Sequence, residues 1–268
     1  MSLIPGIGLG TFRLQGNEVI DAVTSGLGVG YRHIDTAQDY GNEAAVGRAI
    51  AQGGVPRDEV FVTTKIHHEW LGREALLASL ETSLERLGTG WIDLALIHWP
   101  SPGGEVPMAE SIEALAEARQ RGLTRHIGVS NFTLAQMKEV LSLSGGEAII
   151  TNQVEVHPYL ANRRIVDFCQ GHGVQITGYM PLAVGKVMSD PVLQAIASDK
   201  GVSPAQVALA WVIARDIVVI PSSTKPAHQR SNLAACELTL SPTERARIDE
   251  LDCNLRIADP DFAPDWDD

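Results

Sequence analysis

The chain has 268 residues, 44% hydrophobic and 20% charged, a balance that suits a soluble globular protein with a sizeable buried core. Lys plus Arg total 21 against 33 Asp plus Glu, a net charge of −12, which argues against nucleic-acid and anionic-membrane partners but leaves room for a small basic pocket. No run of about 18 apolar residues exists to span a bilayer; the longest candidate, residues 207–220, is broken by Arg215 and Asp216.

Residues 1–10 lack the basic start and apolar stretch of a signal peptide. Cys169, Cys236 and Cys253 are odd in number and widely spaced, with no Cys-x-x-Cys pair. Both features lead to the expectation of a reducing cytoplasm with the thiols buried.

In chain order, residues 7–10 read as a short first strand, followed by a helix across 18–27. A strand at 32–35 precedes a helix at 43–52, one at 60–64 leads to a helix at 73–86, and one at 92–97 to a helix at 109–121. Strand 127–130 is followed by helix 134–143, and strand 151–156 by helix 163–171. Residues 175–179 form the seventh strand, and the longer stretch after it holds two helices. Ser203-Pro204-Ala205-Gln206 marks the second of these: a capping serine, proline at the first helical position and a glutamine completing a capping box. Strand 217–220 and a helix at 227–235 follow, and a second box, Ser241-Pro242-Thr243-Glu244, opens a last helix reaching about Leu251.

Eight strands each feeding a helix, with no composition break, read as one (β/α)₈ TIM barrel over residues 1–268, an α/β fold. The tail, residues 252–268, is rich in Asp and Pro and is expected to lie over one end. A doubly wound dinucleotide-binding sheet would show G-x-G-x-x-G after its first strand. Gly6, Gly8 and Gly10 alternate, as do Gly26, Gly28 and Gly30, and neither set completes that pattern.

Asp35, Tyr40, Lys65 and His98 stand where three successive strand-like segments run out. Asp35, Lys65 and His98 are spaced by 30 and 33 residues, about one βα unit each. In a barrel, such strand ends converge on one face, where catalysis is expected. Singly, each has an ordinary reading: Asp35 as a helix cap, Tyr40 as a turn residue, Lys65 as a solvated cation, His98 as a core histidine. A carboxylate, phenol, ammonium and imidazole together read as a proton-transfer site.

A phenol titrates near ~10 and donates a proton at neutral pH only with help, which an adjacent ammonium gives by stabilising the phenolate. Lys65 is the candidate for that role, Asp35 its counter-charge, and His98 the group that hydrogen-bonds a carbonyl oxygen. The residues alone leave two reactions open: hydride delivery from a nicotinamide, or Schiff-base chemistry through Lys65 as in an aldolase. His67-His68-Glu69 lacks the H-E-x-x-H spacing, so no metal is expected.

At this point the chain resembles the aldo-keto reductase family. The resemblance is carried by Gly30-Tyr31-Arg32-His33-Ile34-Asp35-Thr36-Ala37 with Glu43 and Val46-Gly47, by the Lys65 segment, and by Leu96-Ile97-His98-Trp99-Pro100. It continues through residues 127–132 and 152–160, then Tyr179-Met180-Pro181-Leu182 and Ile220-Pro221-Ser222-Ser223-Thr224. The short loop after Trp99 and the Pro-Ser-Ser-Thr-Lys run are most similar to the bacterial 2,5-diketo-D-gluconate reductase B branch, which also reduces methylglyoxal. His126, unusual at its place in the second signature, is read as surface variation.

The resemblance implies a reductase of aldehydes and ketones, taking hydride from NADPH, with Tyr40 as general acid, Lys65 and Asp35 as its tuning pair and His98 as the carbonyl-orienting group. It also implies that Ser130, Asn131 and Gln153 bind the carboxamide, that Tyr179 stacks on the nicotinamide, and that Leu182 runs along the pyrophosphate. Thr11, Asp35, Pro221, Ser223, Thr224, Lys225, His228 and Asn232 complete the implied cofactor contacts. Backbone amides, hydroxyls and an ammonium before a helix are suited to a 2′-phosphate. Here the chain departs from the family: Ser222 stands where a lysine is usual and His228 where an arginine commonly sits. Lys225 and Arg230 are the cations left to compensate, so NADH is kept as a second cofactor.

Phe12, Tyr40, His67, His98 and Trp99 are the implied substrate residues, His67 with solvent exposure as its alternative. A histidine and a short rim in place of a tryptophan and long loops point to small or polar dicarbonyls. Two other functions are retained, a cofactor-binding regulatory barrel with little turnover and a lyase through Lys65. The family also implies a monomer.

Overall fold

The computed structural model describes residues 3–267. Met1, Ser2 and Asp268, the ends of the expected unit, lie outside the described residues. Eight parallel strands run in sequential order: β1 (Leu9–Gly10), β2 (His33–Asp35), β3 (Phe61–Ile66), β4 (Ile92–Ile97), β5 (Thr124–Ser130), β6 (Ile149–Glu155), β7 (Gln175–Tyr179) and β8 (Ile217–Val219). Gly8 N donates to Val219 O at 2.8 Å, Val219 N to Gly6 O at 3.1 Å and Gly10 N to Pro221 O at 3.0 Å, which closes the sheet on itself. The architecture is the (β/α)₈ barrel.

The helices are α1 (Gly16–Val29), α2 (Glu43–Gln52), α3 (Arg73–Leu87), α4 (Met108–Gln120), α5 (Leu134–Val140), α6 (Arg163–Gly171), α7 (Pro191–Lys200), α8 (Pro204–Ile213), α9 (Pro226–Ala234) and α10 (Pro242–Asp249). Both expected capping boxes form, Ser203 with Gln206 and Ser241 with Glu244, and a third joins Thr133 to Gln136. Among the described residues no helix is long and apolar enough to cross a membrane.

The strands separate two apolar layers. Outward-facing residues such as Val62, Ile66, Ala95 and Ile97 pack against the helices in the main core. Inside the barrel a smaller cluster of Leu94, Leu96 and Val218 is plugged from below by Ile4. Alternation with period 2 then puts His33 and Asp35, Phe61, Thr63 and Lys65, and Leu94, Leu96 and His98 on the interior side. Climbing toward the carboxyl ends, each series passes from ring or aliphatic groups to charged or polar ones.

Several expected boundaries move. β3 continues through Lys65 to Ile66, so Lys65 is an interior strand residue and not the first residue beyond the strand. β5 begins at Thr124, which takes His126 off the surface: it is half-buried and stacks on Phe61 at 6.4 Å, with His33 edge-on to the same ring at 5.2 Å. α5 stops at Val140 and not at Leu143, because the chain folds back until Gly146 meets Val140 O, where a Cβ would lie only 1.9 Å away. Of the three thiols only Cys169 is buried; Cys236 and Cys253 are exposed, since both lie beyond the last barrel strand on α9's end and the tail.

The first and last βα units are clipped by one side chain. Buried Gln229 on α9 donates to Ala22 O at 2.8 Å and Ser223 O at 2.9 Å, and accepts from Ser25 Oγ at 2.7 Å. Gly47 marks a close helix–helix approach: its Cβ would stand 2.2 Å from Leu87 O at the end of α3. Gly47→Ala should therefore lower stability by about 1–3 kcal/mol through overpacking, read as a lower urea midpoint with an unchanged m-value.

Candidate active site

β2, β3 and β4 deliver the four polar residues to the carboxyl-terminal mouth of the barrel. Lys65 is 1% exposed, and its Nζ donates to Asp35 Oδ1 at 2.5 Å, Thr36 O at 2.9 Å and Tyr40 Oη at 3.2 Å. All three ammonium protons are thus used. Asp35 Oδ2 accepts from Gln153 Nε2 at 2.8 Å, so both carboxylate oxygens are held.

Tyr40 sits in a 3₁₀ turn (Gln38–Tyr40) after β2, ended by Gly41 at φ 64°, a left-handed conformation that favours glycine. Gln15 Nε2 holds Tyr40 O at 2.7 Å, and Gln38 Oε1 accepts from His67 N at 3.0 Å. Asn42 pins the turn to Thr11 O and Leu14 O, both at 3.0 Å. These bonds hold the turn that carries the phenol in one position.

Burial pushes the Tyr40 phenol above its ordinary pKa, with the Lys65 ammonium pulling against it. The expected lowering by Lys65 is present but outweighed by desolvation, so Tyr40 rests protonated. Burial alone would push Lys65 down; the Asp35 carboxylate and Tyr40 outweigh it and raise its pKa. His98 follows β4, its ring 5.8 Å from Tyr40. Burial, then the Lys65 charge, holds it well below the usual histidine pKa, so it is neutral. Its Nδ1 lies 3.1 Å from Asp39 Oδ2 without hydrogen-bond alignment.

These groups open into a cavity of ≈ 510 Å³ that runs from Tyr40 and His98 past Asn131 and Tyr179 to Leu182 and Ser222. A larger groove of ≈ 1180 Å³ over α3 and α4, lined by Arg73, Glu110 and Glu117, lies on the helical wall away from the strand ends. Along one wall of the smaller cavity Ser130 Oγ donates to Gln153 O at 2.8 Å, and Asn131 Nδ2 to His98 O at 3.0 Å. Tyr179 Oη donates to Asn131 Oδ1 at 2.7 Å. Hydroxyl and amide groups that both donate and accept, beside a phenol ring, fit a nicotinamide carboxamide. The backbone beyond is strained: Met180, Ala183 and Val184 have φ of 49°, 46° and 52°, unusual for side-chain-bearing residues and most of all for β-branched Val184.

Phe12, Trp99, Leu182 and Pro221 line the same cavity, with the Phe12 ring 5.1 Å from Tyr40. Thr11 is fully buried and bonded to Asp35 O at 3.0 Å. Thr224, Lys225 and His228 lie exposed, and Ser223 half-buried, at the start of α9, where no side chain caps the helix. Asn232 is buried further along α9 beside Tyr31. His67 stands outside the cavity, its Nε2 3.0 Å from Asp39 Oδ1.

Sequence reasoning missed Asp39, Arg13 and Ala258 among the lining residues. Asp39 had one signal, adjacency to Tyr40 in a turn. The tail had a signal only in its position: fully buried Glu155 accepts from Ile257 N at 2.9 Å and Ala258 N at 2.7 Å, while Phe262 and Trp266 set their rings against Trp99 at 5.5 and 6.1 Å.

Residues 6–253 match the profile of the Aldo/keto reductase family. The chain is 51% identical over 265 residues to the methylglyoxal reductase DkgB of Escherichia coli O157:H7, covering 98% of this chain and 99% of that one. It is 50% identical to the protein of the same name from Yersinia pestis over 265 residues, with the same coverage. A crystal structure of a candidate 2,5-diketo-D-gluconic acid reductase B superposes with a TM-score of 0.95 at 44% identity, covering 99% of this chain and 94% of that chain.

Proposed function

This chain belongs to the aldo/keto reductase family and reduces carbonyl groups with a nicotinamide cofactor, and from that premise we propose NADPH-dependent reduction of small dicarbonyls such as methylglyoxal, or of keto-sugar acids such as 2,5-diketo-D-gluconate, to alcohols. The observation that carries the reading is the buried Asp35–Lys65 pair bonded to half-buried Tyr40, which faces His98 across the cavity floor. The similarity to methylglyoxal reductases and to a diketogluconate reductase structure supports the substrate class.

The chemistry that the nicotinamide supplies when bound is a hydride for the carbonyl carbon. Ser130, Asn131 and Gln153 would hold its carboxamide, and Tyr179 its ring. At the carbonyl oxygen, neutral His98 offers a hydrogen bond and Tyr40 transfers its proton. The phenolate left behind forms 3.2 Å from the Lys65 ammonium, whose charge Asp35 balances at 2.5 Å. The stabilising group is in place before charge develops, which is where electrostatic catalysis gains most. Trp99, Phe12 and the tail screen the site from water.

A lyase acting through Lys65 is disfavoured, since an ammonium with every proton engaged and a raised pKa is a poor nucleophile. A regulatory barrel with little turnover has no feature here that favours it. Purified protein given methylglyoxal, a keto-sugar acid and a panel of other carbonyls should oxidise NADPH; tight cofactor binding without turnover across the panel would favour the regulatory barrel.

At the far end of the cofactor, Ser223, Thr224 and Lys225 at the start of α9 are proposed to take the 2′-phosphate. Lys225→Ala should lower kcat/KM for NADPH about tenfold, as loss of one exposed charge-assisted contact of roughly 1.4 kcal/mol would do, and leave NADH unchanged. Equal loss with both cofactors would remove Lys225 from the phosphate site. A cytoplasmic monomer completes the proposal.

A further inference from the structure

We propose that Asp39, His67 and His68 form a binding site for a divalent transition metal of zinc-like chemistry at the rim of the cavity, and that its occupancy inhibits carbonyl reduction. The inhibitory half rests on the function proposed above; the site itself does not.

One ligand atom from each of the three residues lies within 4.8 Å of the others. Asp39 comes from the turn after β2, and His67 and His68 from the segment after β3, so no linear spacing announces the set. Two imidazoles and a carboxylate suit a borderline cation and leave a fourth position for water. Zinc bonds of about 2.0–2.1 Å place tetrahedral neighbours about 3.3 Å apart. His67 Nε2 and Asp39 Oδ1, 3.0 Å apart, already meet that requirement, and the His68 ring has to draw in by at most about 1.5 Å.

Two further features fit a metal better than a plain ion pair. His68 Nδ1 is buried with no hydrogen-bond partner, a cost normally met by water or a ligand. The His68 ring is sandwiched, 4.2 Å from His67 and 4.4 Å from Phe262 of the tail, so it is held at the site. Behind His67, Nδ1 accepts from Glu69 N at 3.1 Å, and Glu69 Oε2 stands 3.8 Å from the same nitrogen. When a metal replaces the proton on Nε2, the ring proton moves to Nδ1, which gives up its bond from Glu69 N and turns to donate to the Glu69 carboxylate 3.8 Å away, the outer-carboxylate arrangement common behind metal-bound histidines.

The link to turnover is Asp39. Its Oδ1 faces His67 at 3.0 Å and its Oδ2 faces His98 Nδ1 at 3.1 Å. A cation held by this carboxylate sets positive charge beside the carbonyl-binding imidazole and narrows the approach next to Tyr40. Inhibition should therefore compete with the carbonyl substrate.

Calorimetric titration of chelator-treated protein with Zn²⁺ tests the site directly. One zinc per chain should bind, with affinity reduced by at least about tenfold in His67→Ala and in His68→Ala, the loss that even an outer partner of a metal site costs. Cys236→Ser/Cys253→Ser, which removes the exposed thiols that compete as zinc ligands, should leave the titration unchanged. Absence of binding, wild-type affinity in either histidine variant, or loss of binding in the cysteine variant would overturn the site. In the kinetic arm, Zn²⁺ should inhibit the wild type reversibly with EDTA and spare His68→Ala; binding without inhibition overturns the regulatory half. Should no carbonyl be reduced at all, the failure belongs to the proposed function and the calorimetry still decides the site.

Discussion

Tyr40→Phe should lower kcat for methylglyoxal by about 10²–10⁴-fold, the usual worth of a positioned acid, while cofactor affinity stays unchanged. The substitution deletes one oxygen and keeps the ring that packs 5.1 Å from Phe12 and 5.8 Å from His98. Lys65 Nζ keeps Asp35 Oδ1 at 2.5 Å and Thr36 O at 2.9 Å, so the charge pair survives. Any loss of rate then reports the missing proton and not a collapsed site. Steady-state kinetics and cofactor titration by fluorescence separate the two quantities. Retention of more than a tenth of kcat would mean that the proton comes from elsewhere.

Asp35→Ala should cost about 3–5 kcal/mol of stability, because it leaves a buried ammonium uncompensated. The group affected is 1% exposed, too deep for solvent screening to soften the loss. Gln153 Nε2 loses its acceptor in the same step. Pairing the substitution with Lys65→Met should return much of the lost stability without returning activity, since an apolar pair of similar volume removes both desolvation penalties. Urea unfolding of the two variants makes the comparison. A single-variant cost below about 1 kcal/mol, the range of exposed pairs, would show that water reaches the pair.

The barrel was legible because its strands are covered on both faces and read as near-continuous apolar runs between capped helices. Ile92–Ile97, buried throughout, is the clearest case. β3 reads short in sequence because Thr63, Thr64 and Lys65 look like the end of an apolar run. In fact Thr63 and Lys65 face the interior, and His33 and Asp35 supply their partners from the next strand. The four residues proposed as catalytic were legible as residue types at strand ends, but the net direction of the Tyr40 shift was not, because it depends on how much water burial removes. Asp39 stayed hidden for a different reason. A single turn carries it to His67 and His98, neither near in sequence, and no periodicity encodes that meeting.

The closing edge of the barrel has a consequence for how the protein is made. Its hydrogen bonds join Gly6, Gly8 and Gly10 to Val219 and Pro221, residues from opposite ends of the chain. Loop closure over such a separation is entropically late, so this seam forms after the more local pairings have assembled. Gly10 and Pro221 also wall the cavity. A ribosome-bound chain that has emerged only as far as β7 can therefore hold Asp35, Tyr40, Lys65 and His98 and still lack the finished cavity that is proposed to take the cofactor. Onset of cofactor binding during synthesis would time the moment at which the two ends of the chain meet.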